Sequence, residues 1–107
     1  MLIFTNEDKK VAFRKAASKL RKLAKDLGIP KENFEVRPCY GGFGVGGEAI
    51  LHADNLYVNS PLFKNHGACY FRSCNGRTDY TGGSNQYPKG QIPTVEEVRR
   101  AIPAFRQ

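Results

Sequence analysis

The sequence predicts an α+β fold of two layers, an antiparallel sheet of four to five short strands flanked by a long N-terminal helix and a short C-terminal helix. Apolar residues recur at helical spacing near both ends of the chain. The middle is rich in aromatic and β-branched residues separated by glycine, asparagine and proline, which is typical of strands and turns. The 107 residues have the length of one domain, residues 1–107.

The N-terminal helix is predicted over residues 6–27. Its apolar stripe repeats every three or four residues and comprises Phe13, Ala17, Leu20, Ala24 and Leu27. Thr5 and Asp8 have the spacing of a capping box. Gly28 followed by Pro30 predicts the end of the helix, because glycine favours the left-handed cap and proline cannot continue the helix.

The β-rich middle is predicted to span residues 34–81. Strands are expected at 34–40, 48–53, 55–59 and 67–74, with a fifth near 78–81. The dipeptides Asp54-Asn55 and Asn75-Gly76 are typical of tight hairpin turns, so the strands on either side of each are expected to pair. Alternation places Tyr70 and Arg72 on one face of the sheet and Phe71 on the other.

A glycine segment, residues 41–47, interrupts these strands. Five of its seven residues are glycine, and three of them match the dinucleotide pattern G-x-G-x-x-G. That pattern binds a pyrophosphate only where a helix follows at once, whereas 48–53 is predicted as a strand. We therefore expect a flexible or bulged connection, with a backbone-amide cradle for phosphate as the lesser alternative.

The last part of the chain combines a polar loop with a helix. The polar loop, residues 74–88, contains no aliphatic side chain and therefore buries little surface. The C-terminal helix is predicted over 94–102, because Thr94 and Glu97 form a capping-box pair and Pro103 ends the apolar repeat.

Positive charge is concentrated in the first helix. The chain holds 17 basic and 10 acidic residues, a net charge of +7. Eight of the basic residues lie between positions 9 and 25 with no acidic residue among them. At 100° per residue, four of these side chains fall within about 60° of one another, and these are Lys10, Arg14, Arg21 and Lys25. A basic face of this length is expected to neutralise several phosphates of a nucleic acid.

These observations predict a small, basic, cytoplasmic binding module that contacts DNA or RNA. Phosphate contacts are assigned to Lys10, Arg14, Arg21, Lys22 and Lys25. Contacts to bases are assigned to residues in and beside the polar loop, because guanidinium groups and tyrosine rings hold exposed bases; they are Arg72, Arg77, Tyr80 and Tyr87.

Two other functions remain open at this stage. The same surfaces suit a protein-binding inhibitor or adaptor that covers an acidic surface of a nucleic-acid enzyme. A small nuclease built on His52 or His66 is the third alternative, and it is the least favoured because no motif fixes the geometry of either histidine. No catalytic residue is assigned.

No metal or other cofactor is predicted, and neither is a membrane partner. His66, Cys69 and Cys74, with Cys39 or His52, supply zinc-binding atoms, but Cys69 and Cys74 would point to opposite faces of one strand. An odd number of cysteines favours a reducing compartment. No apolar run approaches the roughly 18–20 residues that cross a bilayer.

Overall fold

The computed structural model describes residues 6–39, 47–63, 69–74, 76, 87–89 and 92–105. The elements in chain order are α1 (Asn6–Asp26), β1 (Phe34–Cys39), β2 (Glu48–Ala53), β3 (Tyr57–Pro61), β4 (Cys69–Arg72), β5 (Tyr87–Lys89) and α2 (Val95–Ala101). The strands form one antiparallel sheet in the order β1-β2-β3-β4-β5. A long first helix, a short last helix and an antiparallel sheet confirm the predicted α+β class.

Helix α1 ends where its sequence predicts. Gly28 adopts a φ of +80°, a left-handed conformation that costs glycine little. Its N–H donates to the carbonyl of Lys25 at 2.9 Å, and the N–H of Ile29 donates to the carbonyl of Ala24 at 3.0 Å. These two bonds make a Schellman cap, which satisfies two carbonyls that the helix end would otherwise leave without an intrahelical partner. The predicted cap at Thr5 lies outside the described residues.

One face of the sheet packs against α1. Across the first four strands, Val36, Leu51, Val58 and Phe71 form a continuous apolar row. The stripe of α1 that meets this face includes Leu20, which has no exposed surface. Complete burial of a leucine contributes about 1.5–3 kcal/mol, so this layer is the main source of apolar stabilisation among the described residues.

Two strands differ from the sequence prediction. The turn at Asp54-Asn55 is present, with the Ala53 N–H donating to the Leu56 carbonyl at 2.8 Å, but β3 then runs over Tyr57–Pro61 rather than 55–59. The fifth strand is Tyr87–Lys89, at the end of the predicted polar loop. It pairs with β4. The predicted strand near 78–81 and most of the chain around the predicted turn at Asn75-Gly76 lie outside the described residues.

Helix α2 is confirmed, including its cap. Thr94 Oγ1 accepts from the Glu97 N–H at 3.1 Å, and a carboxylate oxygen of Glu97 accepts from the Thr94 N–H at 3.1 Å. Val98 and Ile102 then enter the same core as α1. The two helices are therefore fixed to one sheet through one hydrophobic cluster.

Candidate nucleic-acid interface

The four aligned cations of α1 lie on its exposed side. We call Lys10, Arg14, Arg21 and Lys25 the basic strip. All four are exposed, and none is ion-paired with another residue that the structure describes. The strip extends over about 22 Å, given a rise of about 1.5 Å per residue. The strip flanks the buried stripe of α1: at 100° per residue its mean direction lies about 110° from that of buried residues such as Leu20, and Lys10 lies about 20° from the buried Ala17.

The like charges of the basic strip repel one another, and this repulsion destabilises α1. Lys10 with Arg14, and Arg21 with Lys25, are like-charged pairs at i and i+4, and each pair destabilises a helix by about 0.2–0.5 kcal/mol. The core beneath α1 offsets this cost, since Leu20 alone contributes more than both pairs remove. The result is a row of exposed cations on a helix that is anchored to the core.

Two other lysines of α1 differ from the strip. Lys22 is exposed, but its ammonium group lies 2.6 Å from a carboxylate oxygen of Asp26, one turn later. Its charge is therefore partly neutralised. Lys9 is only 4 % exposed, so it does not share the solvent-facing side of the helix. Fewer cations of α1 are therefore fully available to a partner than the eight that the sequence contains.

The sheet face opposite α1 is polar. Its first row crosses four strands in the order Glu35, His52, Tyr57 and Arg72, and we call it the His52 row. The second row is Arg37, Ile50, Asn59 and Tyr70. The side chain of Asn59 donates to a carboxylate oxygen of Glu48 at 3.0 Å, and Arg37 forms an ion pair of 2.8 Å with Glu35.

His52 has no exposed surface. Its ring meets the Tyr57 ring edge to face, with centroids 5.1 Å apart, and its Nε2 lies 3.1 Å from the carbonyl oxygen of Gly76. Because a carbonyl only accepts, Nε2 carries the proton in this bond. Burial, and then the charge of Arg37, lower the pKa of His52 below its ordinary value of 6.5. A neutral ring held in this way has no path to a phosphodiester, so the geometry gives no support to a nuclease built on His52.

Arg72 occupies a different environment from the one that a base contact needs. Its guanidinium carbon lies 4.7 Å from the centroid of the Tyr57 ring, and one of its amino groups donates to the Ser73 carbonyl at 3.1 Å. Only 4 % of the residue is exposed. A buried cation stacked on a tyrosine stabilises the sheet, so we leave Arg72 out of the proposed contact surface.

The remaining predicted base contacts are not placed by the structure. Arg77 and Tyr80 lie outside the described residues, and so does His66 of the nuclease and zinc alternatives. Tyr87 is placed only through its backbone, in β5 beside Phe71. The basic strip is thus the part of the predicted site that the structure brings together.

The cysteines are separated. Cys39 is exposed, whereas Cys69 and Cys74 are buried. The Cys74 thiol donates to the Ala53 carbonyl at 3.2 Å, and burial raises the pKa of Cys69 to about 11. Among the described residues, no three His, Cys, Asp or Glu side chains are grouped closely enough to hold a metal ion. The glycine segment is followed by β2 and not by a helix, as expected.

One exposed residue on α1 was not singled out from the sequence. Val11 is 43 % exposed although it lies among the cations. An apolar side chain that interrupts the polar face of an amphipathic helix was the signal available in the sequence. Val11 borders a groove between α1 and the chain that leaves β3.

Comparison with known proteins gives no relative for this chain: no family model, no curated protein and no solved structure matches it. Among the helices that the structure describes, none is both long enough and apolar enough to span a membrane.

Proposed function

We propose that this protein binds nucleic acid through the phosphate backbone, with the basic strip of α1 as the contact surface. The observation that carries the proposal is the alignment of four exposed cations without described ion partners along one side of a rigid helix. Duplex nucleic acid presents one phosphate charge per roughly 1.7 Å of axis, so a row of about 22 Å meets several phosphates at once.

The proposal includes a role for Lys22 but a smaller one than for the strip. Its pairing with Asp26 is exposed, with 76 % of the lysine side chain accessible, and an exposed pair of this kind is worth at most about 1 kcal/mol. A phosphate therefore competes with Asp26 for this lysine. Backbone contacts of this type read the charge and shape of a nucleic acid rather than its sequence.

The test is a salt series of binding to duplex and single-stranded DNA and RNA, measured by fluorescence anisotropy. Each neutralised phosphate contributes about 0.9 to the slope of log affinity against log salt for duplex DNA. Four contacts thus predict a loss of affinity of about 100-fold between 50 and 200 mM salt. The double variant Arg14→Gln/Arg21→Gln is expected to reduce the slope by about 1.8.

The matched control is Lys31→Gln/Arg100→Gln, which removes two exposed cations from other elements. It lowers the net charge equally and is expected to keep the wild-type slope. Equal losses in both double variants would show an effect of net charge only, and an absence of binding at 50 mM salt would refute the proposal.

A further inference from the structure

A groove runs beside α1, on a different side from the basic strip. It has a volume of about 750 Å³ and lies between α1 and the chain that leaves β3. The wall formed by α1 includes Val11, Ala12 and Ala16. The facing wall includes Leu62 and Phe63. The mean direction of its α1 residues lies about 140° around the helix from that of the strip, and Val11, at the near edge of the groove, lies about 40–100° from the strip residues.

The walls of the groove combine apolar side chains with polar ones, among them Ser60 and the charged residues of α1. Among the described residues, Val11 is the one large hydrophobic side chain that is substantially exposed, at 43 %. Ala12 and Ala16 leave room for another backbone to approach α1, because their side chains are small. Leu62 and Ile92 pack against the core from the other side, so the facing wall is anchored. An apolar surface with a fixed shape is typical of a docking site.

The charges at the groove favour an acidic group at one end, where two lysines lie, whereas Asp8 lines the other end, about 10 Å along the helix axis from Lys15. Lys15 and Lys19 line the groove and are both exposed, and neither is ion-paired with another described residue. They repel each other at i and i+4, about 6 Å apart along the helix axis. Two carboxylates with the same spacing on a second helix would relieve this repulsion. Both lysines could also meet phosphates of a nucleic acid, but Val11, Leu62 and Phe63 offer a sugar-phosphate backbone no polar partner.

We infer that the groove binds an acidic, amphipathic helix of a partner protein. The α1 residues of the groove extend from Asp8 to Lys19, which corresponds to about three helical turns. The apolar side of such a helix packs on Val11 and Phe63, and glutamates at i and i+4 meet Lys15 and Lys19. This is helix-in-groove recognition with a charge pattern that excludes basic partners. The inference does not depend on nucleic-acid binding, so either can fail alone.

The probe is a stapled, fluorescein-labelled peptide of about 12 residues, the length of three turns. It carries leucines at i, i+3, i+4 and i+7, which form one apolar side. Two glutamates, four residues apart from each other, lie beside this side. A second peptide has the same composition with the leucines spread around the helix. Anisotropy titration of the full chain is expected to show saturable binding of the first peptide and at least about tenfold weaker binding of the second.

Two variants of the protein locate the site. Val11→Glu introduces a like charge into the apolar wall, and Lys15→Glu/Lys19→Glu reverses the pair at the rim; each is expected to weaken peptide binding at least about tenfold. The matched control is Lys10→Glu/Arg14→Glu, which reverses two cations at the same spacing on the same helix but on the basic strip. Circular dichroism at 222 nm confirms that each variant keeps its helices.

The outcomes are distinct. Loss of peptide binding in the groove variants, with the strip variant losing less than threefold, supports the inference. Equal losses in the groove and strip variants, equal binding of both peptides, or displacement of the peptide by duplex DNA in the strip variant would overturn it. The salt slope for DNA, measured on the same proteins, reports separately on the basic strip.

Discussion

His52 shows how one buried side chain makes stability depend on pH. Because its pKa in the folded protein lies below the ordinary value of 6.5, the folded state takes up a proton at lower pH than the unfolded state does. Stability is therefore complete above about pH 6.5 and is lost as the pH falls toward the folded pKa. We expect the free energy of unfolding to fall as the pH is lowered from 7.5 to 5.5 on account of this residue, measured by urea denaturation.

The variant His52→Gln separates this effect from other titrations. The glutamine amide retains a donor for the Gly76 carbonyl, which the imidazole contacts at 3.1 Å, but it does not titrate. The variant is expected to lose less of its free energy of unfolding than the wild type over the same pH interval. Parallel pH profiles of the two proteins would contradict the prediction.

Arg72 illustrates why single residues are hard to assign from sequence. Its place on the polar side of β4 follows from alternation, and the structure agrees. Its burial does not follow, because it depends on the register that sets Tyr57 opposite Arg72 and allows the guanidinium group to lie over the ring at 4.7 Å. Local sequence patterns do not contain the pairing between strands. For this reason Arg72 was predicted to contact a base, although its side chain is buried.

At the scale of elements, the cap of α1 can be tested directly. Gly28→Ala adds a Cβ that meets no atom within 4 Å, so its cost arises from the φ of +80° alone. We expect the free energy of unfolding to drop by about 1 kcal/mol, and by less for Gly28→Asn, because asparagine tolerates the left-handed conformation better. Urea denaturation measures both. Ser18→Ala, on the exposed side of α1, is the control and is expected to be neutral or slightly stabilising; an unchanged Gly28→Ala protein would contradict the argument.

The elements also differ in how well the sequence predicts them. Both helices were predicted to within a residue or two, because glycine after α1 and the Thr94 and Glu97 pair at α2 act locally. The strand β5 was not predicted, since Tyr87–Lys89 is short and contains Pro88, and only its pairing with β4 identifies it as a strand. The basic strip follows from helical periodicity alone. The groove forms where the residues at the end of β3 and just after it approach α1, and no local sequence pattern predicts this approach.

At the scale of the molecule, the position of a strand in the sheet determines how readily its backbone hydrogen bonds open. Strands β2 and β3 lie inside the sheet, and Leu51 and Val58 have no exposed surface. Among the strands that the structure describes, β1 and β5 each have one neighbour. In amide hydrogen exchange we expect Leu51 and Val58 to exchange about 100-fold more slowly than the amides of β5, because the interior opens only with global unfolding. Slowest exchange in β5 would show that the described sheet is not the stable unit.

The uneven distribution of charge also affects how this molecule meets a partner before any contact forms. Between positions 9 and 25 there are eight basic residues, while the rest of the chain has one more acidic than basic residue, so the protein behaves as an electric dipole. In the field of a polyanion it turns with α1 leading. Ionic strength then acts on the rate of capture as well as on the contacts made afterwards.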